Sequence, residues 1–154
     1  MSSEVTIRDA HVNDAQTISE FNIAMALETE QKKLERTKIE PGVIAVFQRP
    51  ELGFYLVGEI SGRIAGCLMV TPEWSDWRNA FFWWVQSVYV APEFRNRGVY
   101  KALYNTVRER AENRPEICGC RLYVEQENES AQHAYEKLGM KKTCYQMYEE
   151  LFRK

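Results

Sequence analysis

Two arginines and a glycine, Arg95-Asn96-Arg97-Gly98, follow the apolar run Val88-Tyr89-Val90-Ala91 and precede a helical pattern opening Val99-Tyr100-Lys101-Ala102-Leu103. A strand that enters a helix through such a turn is suited to hold an anion. The first N–H groups of a helix have no intrahelical partner, and the helix dipole adds partial positive charge there. Arg95 and Arg97 add charge-assisted donors. Gly98, lacking a Cβ, lets the backbone come close to a ligand. No Gly-Lys-Ser/Thr follows, and the three-glycine dinucleotide fingerprint is missing, so the turn is neither of those phosphate loops. A plain basic turn with solvated arginines has the same composition.

A second segment, Asn128-Glu129-Ser130-Ala131-Gln132-His133-Ala134-Tyr135-Glu136-Lys137-Leu138-Gly139, reads as a helix with Asn128 as N-cap and Gly139 as a left-handed C-cap. Together the two segments resemble the GNAT superfamily of acetyl-CoA-dependent acyltransferases. The resemblance places Arg95, Asn96, Arg97, Gly98, Val99 and Tyr100 on the family's Gln/Arg-x-x-Gly-x-Gly/Ala turn, which cradles the coenzyme pyrophosphate, with Lys101 next to it. Tyr100 departs from that pattern, being bulky where Gly or Ala is usual. Asn128, Ala131, Tyr135 and Gly139 match the family's Asn-x-x-Ala-x-x-x-Tyr-x-x-x-Gly helix, which also reaches the coenzyme. The resemblance further implies that the backbone of Val88, Tyr89 and Val90 pairs with the amides of the pantetheine arm, as a strand edge pairs with a peptide.

Acetyl transfer to an amine needs a group that takes the amine's proton and one that protonates or stabilises the departing thiolate. The resemblance makes Tyr135 the acid; spacing alone would leave it a core aromatic on an amphipathic helix. The base is open. Many relatives carry a carboxylate on the strand before the turn, where this chain has Gln86 and Ser87, which cannot accept a proton at neutral pH. Glu28 or Glu30 could serve, or a water relayed through Gln86, or the amine could arrive neutral. The resemblance puts Glu28-Thr29-Glu30 on the acceptor-side wall, where a carboxylate could also hold a cationic substrate; a solvated helix face is the bland alternative. Trp74, Trp77, Phe81, Phe82, Trp83 and Trp84 crowd one loop and strand. Strand alternation buries some of them, while the others, Trp84 included, could line a cleft for an organic cation or form a homodimer contact.

These groups must be positioned by an alternating series of elements. A short strand is expected at Val5–Arg8, apolar strands at Phe54–Ile60 and Ile64–Thr71 joined by a Ser61-Gly62 turn, and a long aromatic strand at Ala80–Ala91. Later strands are expected at Cys118–Glu125 and, from its period-two alternation, Lys142–Glu149. Helices are expected from an Asn13/Gln16 capping box to about Leu27, from Pro41 to about Phe47, over Gly98–Glu112 and over Asn128–Leu138, with Glu28–Glu40 a helix continuation or a mobile cover and Pro72–Asn79 a loop. That order predicts an α/β (α+β) domain. The resemblance adds a mixed, mostly antiparallel central sheet, flanked by helices and splayed at the strand before the phosphate-binding turn. With 154 residues, 45% of them hydrophobic, the chain can bury one good core, so a single domain over 1–154 is expected.

The net charge of −2 gives no general attraction to nucleic acid or anionic lipid, so an anionic ligand must be small and locally held. No apolar run resembles a signal peptide or a membrane span, which predicts a cytoplasmic protein. Cys67, Cys118, Cys120 and Cys144 are expected to be reduced and mostly buried, and His11 and His133 stand in no metal-ligand spacing with them, so no metal is expected. The resemblance thus implies an N-acetyltransferase that uses acetyl-CoA on a primary amine of a small molecule or peptide. A catalytically silent acyl-CoA sensor, an O-acyl or longer-chain transferase, and an interaction domain without coenzyme are the alternatives.

Overall fold

The computed structural model describes residues 4–153. Their contacts fall into two compact units, one ending at Leu122 and the other beginning at Tyr123. The first unit is built on five strands in sequential order: β1 (Thr6–Asp9), β2 (Phe54–Ile60), β3 (Arg63–Ser75), β4 (Ala80–Val90) and β5 (Ile117–Arg121). The first four pair antiparallel, and β4 pairs parallel with β5. Parallel neighbours need a crossover, supplied by α3 (Val99–Glu112).

Two helices, α1 (Ala15–Glu30) and α2 (Arg36–Gln48), form a core with Tyr55, Val57 and Cys67 on one sheet face. The residues between them in β2, Phe54, Leu56 and Gly58, point to the other face, where Val99 of α3 packs beside Gly58 and Gly66. Gly66 is required there, since a Cβ would lie 2.6 Å from the Tyr89 carbonyl oxygen. Burial pushes the Tyr55 phenol and the Cys67 thiol each up to about 12.

Several boundaries differ from expectation for identifiable reasons. The entry to α1 is fixed at Asp14, whose carboxylate accepts the His11 N–H at 2.7 Å and pairs with Arg8 at 2.8 Å, rather than at Asn13; the helix runs on to Glu30. α2 begins five residues before Pro41 and contains it. β3 passes through Pro72 to Ser75, which is tolerated because the β2 pairing ends at Val70 and leaves that stretch without a β2 neighbour. The Ser61-Gly62 turn forms as expected, with φ of 52° and 77°.

The second unit holds α4 (Glu129–Lys137). The Asn128 side chain accepts the Ala131 N–H at 3.1 Å, and at the other end Met140 and Gly139 donate to the carbonyls of Tyr135 and Glu136, with Gly139 at φ 99°. The strand expected over Lys142–Glu149 is not formed, and among the described residues none after Leu138 lies in a helix or strand. Period two specifies which side chains would share a face; it supplies no partner for the backbone groups. Cys118 and Cys144 are exposed, so of the four free cysteines only Cys67 is buried outright. No helix among the described residues is long and apolar enough to cross a membrane.

Candidate active site

β4 is the element around which the site is built. It pairs with β5 at Phe81, Phe82, Trp83 and Trp84 only, while its pairing with β3 continues to Val90. The β5-side edge from Val85 onward is therefore left without a β5 partner, which is the expected splay. Arg121, the last residue of β5, fastens the closed end: its guanidinium lies 3.6 Å from the Phe82 ring centroid and bonds Glu73 at 2.8 Å.

A bulge sits in the splayed half. Cys67 lies opposite Tyr89 and Met69 opposite Gln86, so β4 carries one residue more than β3 across this interval, and Ser87 takes a left-handed φ of 51°. In an unbroken strand, Gln86 and Tyr89 would point to opposite faces. With the extra residue both point to the α1 side, as does Trp84. Gln86 donates to the Thr71 hydroxyl. Tyr89 meets Phe21 of α1 at a ring-centroid distance of 5.1 Å. The sequence reading missed the bulge and Thr71; the polar pair Gln86-Ser87, interrupting an apolar strand, was the available signal.

Beyond β4, Pro92–Phe94 forms a single 3-10 turn, Asn96 turns left-handed at φ 64°, and Gly98 follows at φ 78° as the residue before α3. No side chain caps α3, and nothing lies within 4 Å of where a Gly98 Cβ would stand, so the helix start faces open space. Tyr100 is accommodated along the helix flank, stacked on Tyr104 at 6.3 Å. Asn96, Arg97 and Lys101 are exposed around the turn, and the Arg97 guanidinium stands 5.8 Å from the Phe94 ring centroid.

Arg95 behaves differently from its neighbours. Its Nε donates to the Val90 carbonyl at 2.9 Å, its Nη2 bonds the Glu28 carboxylate at 3.0 Å, and its guanidinium stands 5.5 Å from the Tyr89 ring centroid. Since the Ala91 N–H is directed at Ala65 of β3, the preceding Val90 carbonyl lies on the opposite, free edge, and Arg95 occupies it. Burial, followed by the Glu28 carboxylate, holds the Tyr89 phenol above its ordinary range, with Arg95 pulling the other way. Glu28 and Glu30 stand in the last turn of α1, which carries no basic residue; there the helix dipole makes the potential negative.

The structure brings Glu28, Tyr89, Gln86 and Trp84 to one side of the sheet. It keeps the loop tryptophans away from them. Trp74 and Trp77, 53% and 87% exposed, sit at the tip of the β3–β4 hairpin, and about 3.3 Å per residue along β4 puts that tip roughly 30 Å from Tyr89. The cation cleft expected from those tryptophans together with Glu28 and Glu30 is therefore not assembled. In the second unit, Tyr135 is half-buried on α4 and Ala131 follows the cap.

The acetyltransferase (GNAT) family model matches residues 17–140. A crystal structure described as that of a possible acetyltransferase from Clostridium difficile 630 is 39% identical, with a TM-score of 0.90, covering 97% of this chain and 99% of that one. The ribosomal-protein-alanine N-acetyltransferase of Brucella melitensis biovar Abortus 2308 shares the fold at 18% identity and a TM-score of 0.77, covering 97% and 100%. Glucosamine-6-phosphate N-acetyltransferase from Arabidopsis thaliana does so at 19% and 0.72, covering 97% and 99%. No curated protein matches the chain.

Proposed function

This chain belongs to the acetyltransferase (GNAT) family, and we propose that it is a cytoplasmic N-acetyltransferase working on a primary amine of a small molecule or peptide by direct attack. One observation carries the proposal: the edge of β4 left open beyond Trp84 leads into a helix start that no side chain caps and that a Cβ-free residue opens to ligand. Bound acetyl-CoA supplies the activated acetyl group and a thiolate as leaving group.

The free edge at Val88 and Tyr89 holds the peptide-like amides of the pantetheine arm. The N–H groups of Gly98, Val99, Tyr100 and Lys101 take the pyrophosphate, with Arg97 as a charged donor, so the site needs no general basic surface. Asn128 and Ala131 set the start of the helix that carries Tyr135, and Tyr135 holds at its phenol oxygen the proton that the thiolate requires. Glu28 and Glu30, at the negative end of α1, receive the acceptor's ammonium group, and one of these carboxylates takes the proton that the nitrogen loses before it attacks. Gln86, engaged with Thr71, orients a water or the amine and does not take its proton.

Thiol release over a panel of amines tests the catalytic half, and no release with any of them leaves an acyl-CoA sensor. Calorimetry tests the coenzyme half. Arg97→Ala is expected to weaken coenzyme A binding by about one to two decades, the effect of one charge-assisted bond, and Gly98→Val by more, because a β-branched residue resists the left-handed conformation while its side chain fills the approach. An unchanged affinity in the Gly98 variant would remove the turn from the site.

A further inference from the structure

We propose that Arg95 is a positioning residue of the acceptor side, fixing Glu28 over Tyr89 and setting how much negative charge the acceptor meets, so that the site favours monoamines with an uncharged or anionic remainder over diamines. The inference rests on the transferase reading above and goes further, since it moves an arginine of the phosphate turn to the other substrate.

The contacts of Arg95 support this. A phosphate ligand needs free donors aimed at the helix start, but Nε of Arg95 is spent on the Val90 carbonyl and Nη2 on Glu28. The side chain bridges the end of β4 and Glu28 of α1, which lies 67 residues from Arg95 in sequence, with the Tyr89 ring on its flank. Glu28 lies on the α1 side of the sheet, which Tyr89, Gln86 and Trp84 also face, and Arg95 holds its carboxylate there. Paired with Arg95, Glu28 contributes little net charge. Glu30, also in the last turn of α1, is not engaged by Arg95 and keeps its charge for a single ammonium group. The side chains of Arg95 and Glu28 are 46% and 40% exposed, so water screens the pair and its effect on acceptor binding is limited to about fivefold.

The test compares 1-aminobutane with 1,4-diaminobutane, which differ by one distal ammonium group. Each amine is measured by KM and by its dissociation constant on the protein's complex with coenzyme A. In Arg95→Met the preference for the diamine should rise about three- to fivefold through KM, with kcat within about twofold and coenzyme A affinity within about threefold of the unmutated chain. Arg95→Lys, which restores the charge beside Glu28, should return the ratio toward its starting value. In a Glu28→Gln background, Arg95→Met should no longer alter it. A loss of coenzyme A affinity of tenfold or more in Arg95→Met overturns the assignment and makes Arg95 a phosphate ligand, whether or not thiol is released. An unchanged amine ratio, or the same change with Glu28 already removed, overturns it too. Failure of the transferase reading gives a different result, with no thiol released by the unmutated chain.

Discussion

The turn after β4 and the helix α4 are equally conspicuous as sequence patterns, yet they are held in shape by different forces. Around the turn, Phe94, Val99 and Leu103 are 5%, 2% and 0% exposed, so the helix start is fixed by packing against the sheet. α4 has no buried residue, and its nine residues are bounded by the Asn128 cap and the left-handed exit at Gly139. A nine-residue helix is too short to persist on propensity alone, so its caps carry a large share of its definition. A motif in the chain thus says which chemistry is offered and nothing about how firmly it is held.

The sharpest break of this contrast is Tyr135→Phe. The ring stays and only the hydroxyl goes, so stability and coenzyme affinity should hold while turnover falls by about 10²- to 10⁴-fold, the usual contribution of a general acid. Unchanged turnover, once chemistry is shown to be rate-limiting, makes α4 a scaffold and returns all the chemistry to the packed region. Next in size is Leu103→Ala. Losing a fully buried side chain under the turn should cost about 2–5 kcal/mol in denaturant unfolding and weaken coenzyme binding with it. The smallest effect is expected from Asn128→Ala: about 0.5–2 kcal/mol, read as faster amide exchange at Ala131 with the global unfolding midpoint of the first unit unmoved. If Asn128→Ala shifts that midpoint as far as Leu103→Ala does, the distinction between packed and capped support is wrong.

What was legible follows the same division. Strand and helix identities in the first unit, the Ser61-Gly62 turn and both caps of α4 could be read because each depends on local pattern or on one residue's conformational freedom. The strand expected at Lys142–Glu149 could not be settled that way, since alternation describes a face and a ladder needs a neighbour. Pro72 misled for a related reason: proline forbids a central strand, and the sequence did not tell that β2 stops pairing at Val70. In the site, residue types announced the anion turn, but the Arg95–Glu28 bond, between residues far apart in the chain, was invisible, and the same two residues were given to opposite substrates.

Ser87 can be thought of as an inserted letter in a message read two residues at a time. Before it, the even-numbered residues of β4 address α1; after it, the odd-numbered ones do, and Tyr89 joins Trp84 and Gln86 in one column. Substitution at Ser87 alters one word. Straightening the bulge with every residue kept would turn every later residue over, sending Tyr89 toward α3 and Val90 toward α1 with no change in their chemistry, whereas deleting Ser87 would remove the extra residue and leave Tyr89 on the α1 side. The chemical content of this strand thus lies as much in its register as in its side chains, and a redesign that keeps every residue of β4 yet straightens the bulge would deliver the wrong face to the substrate.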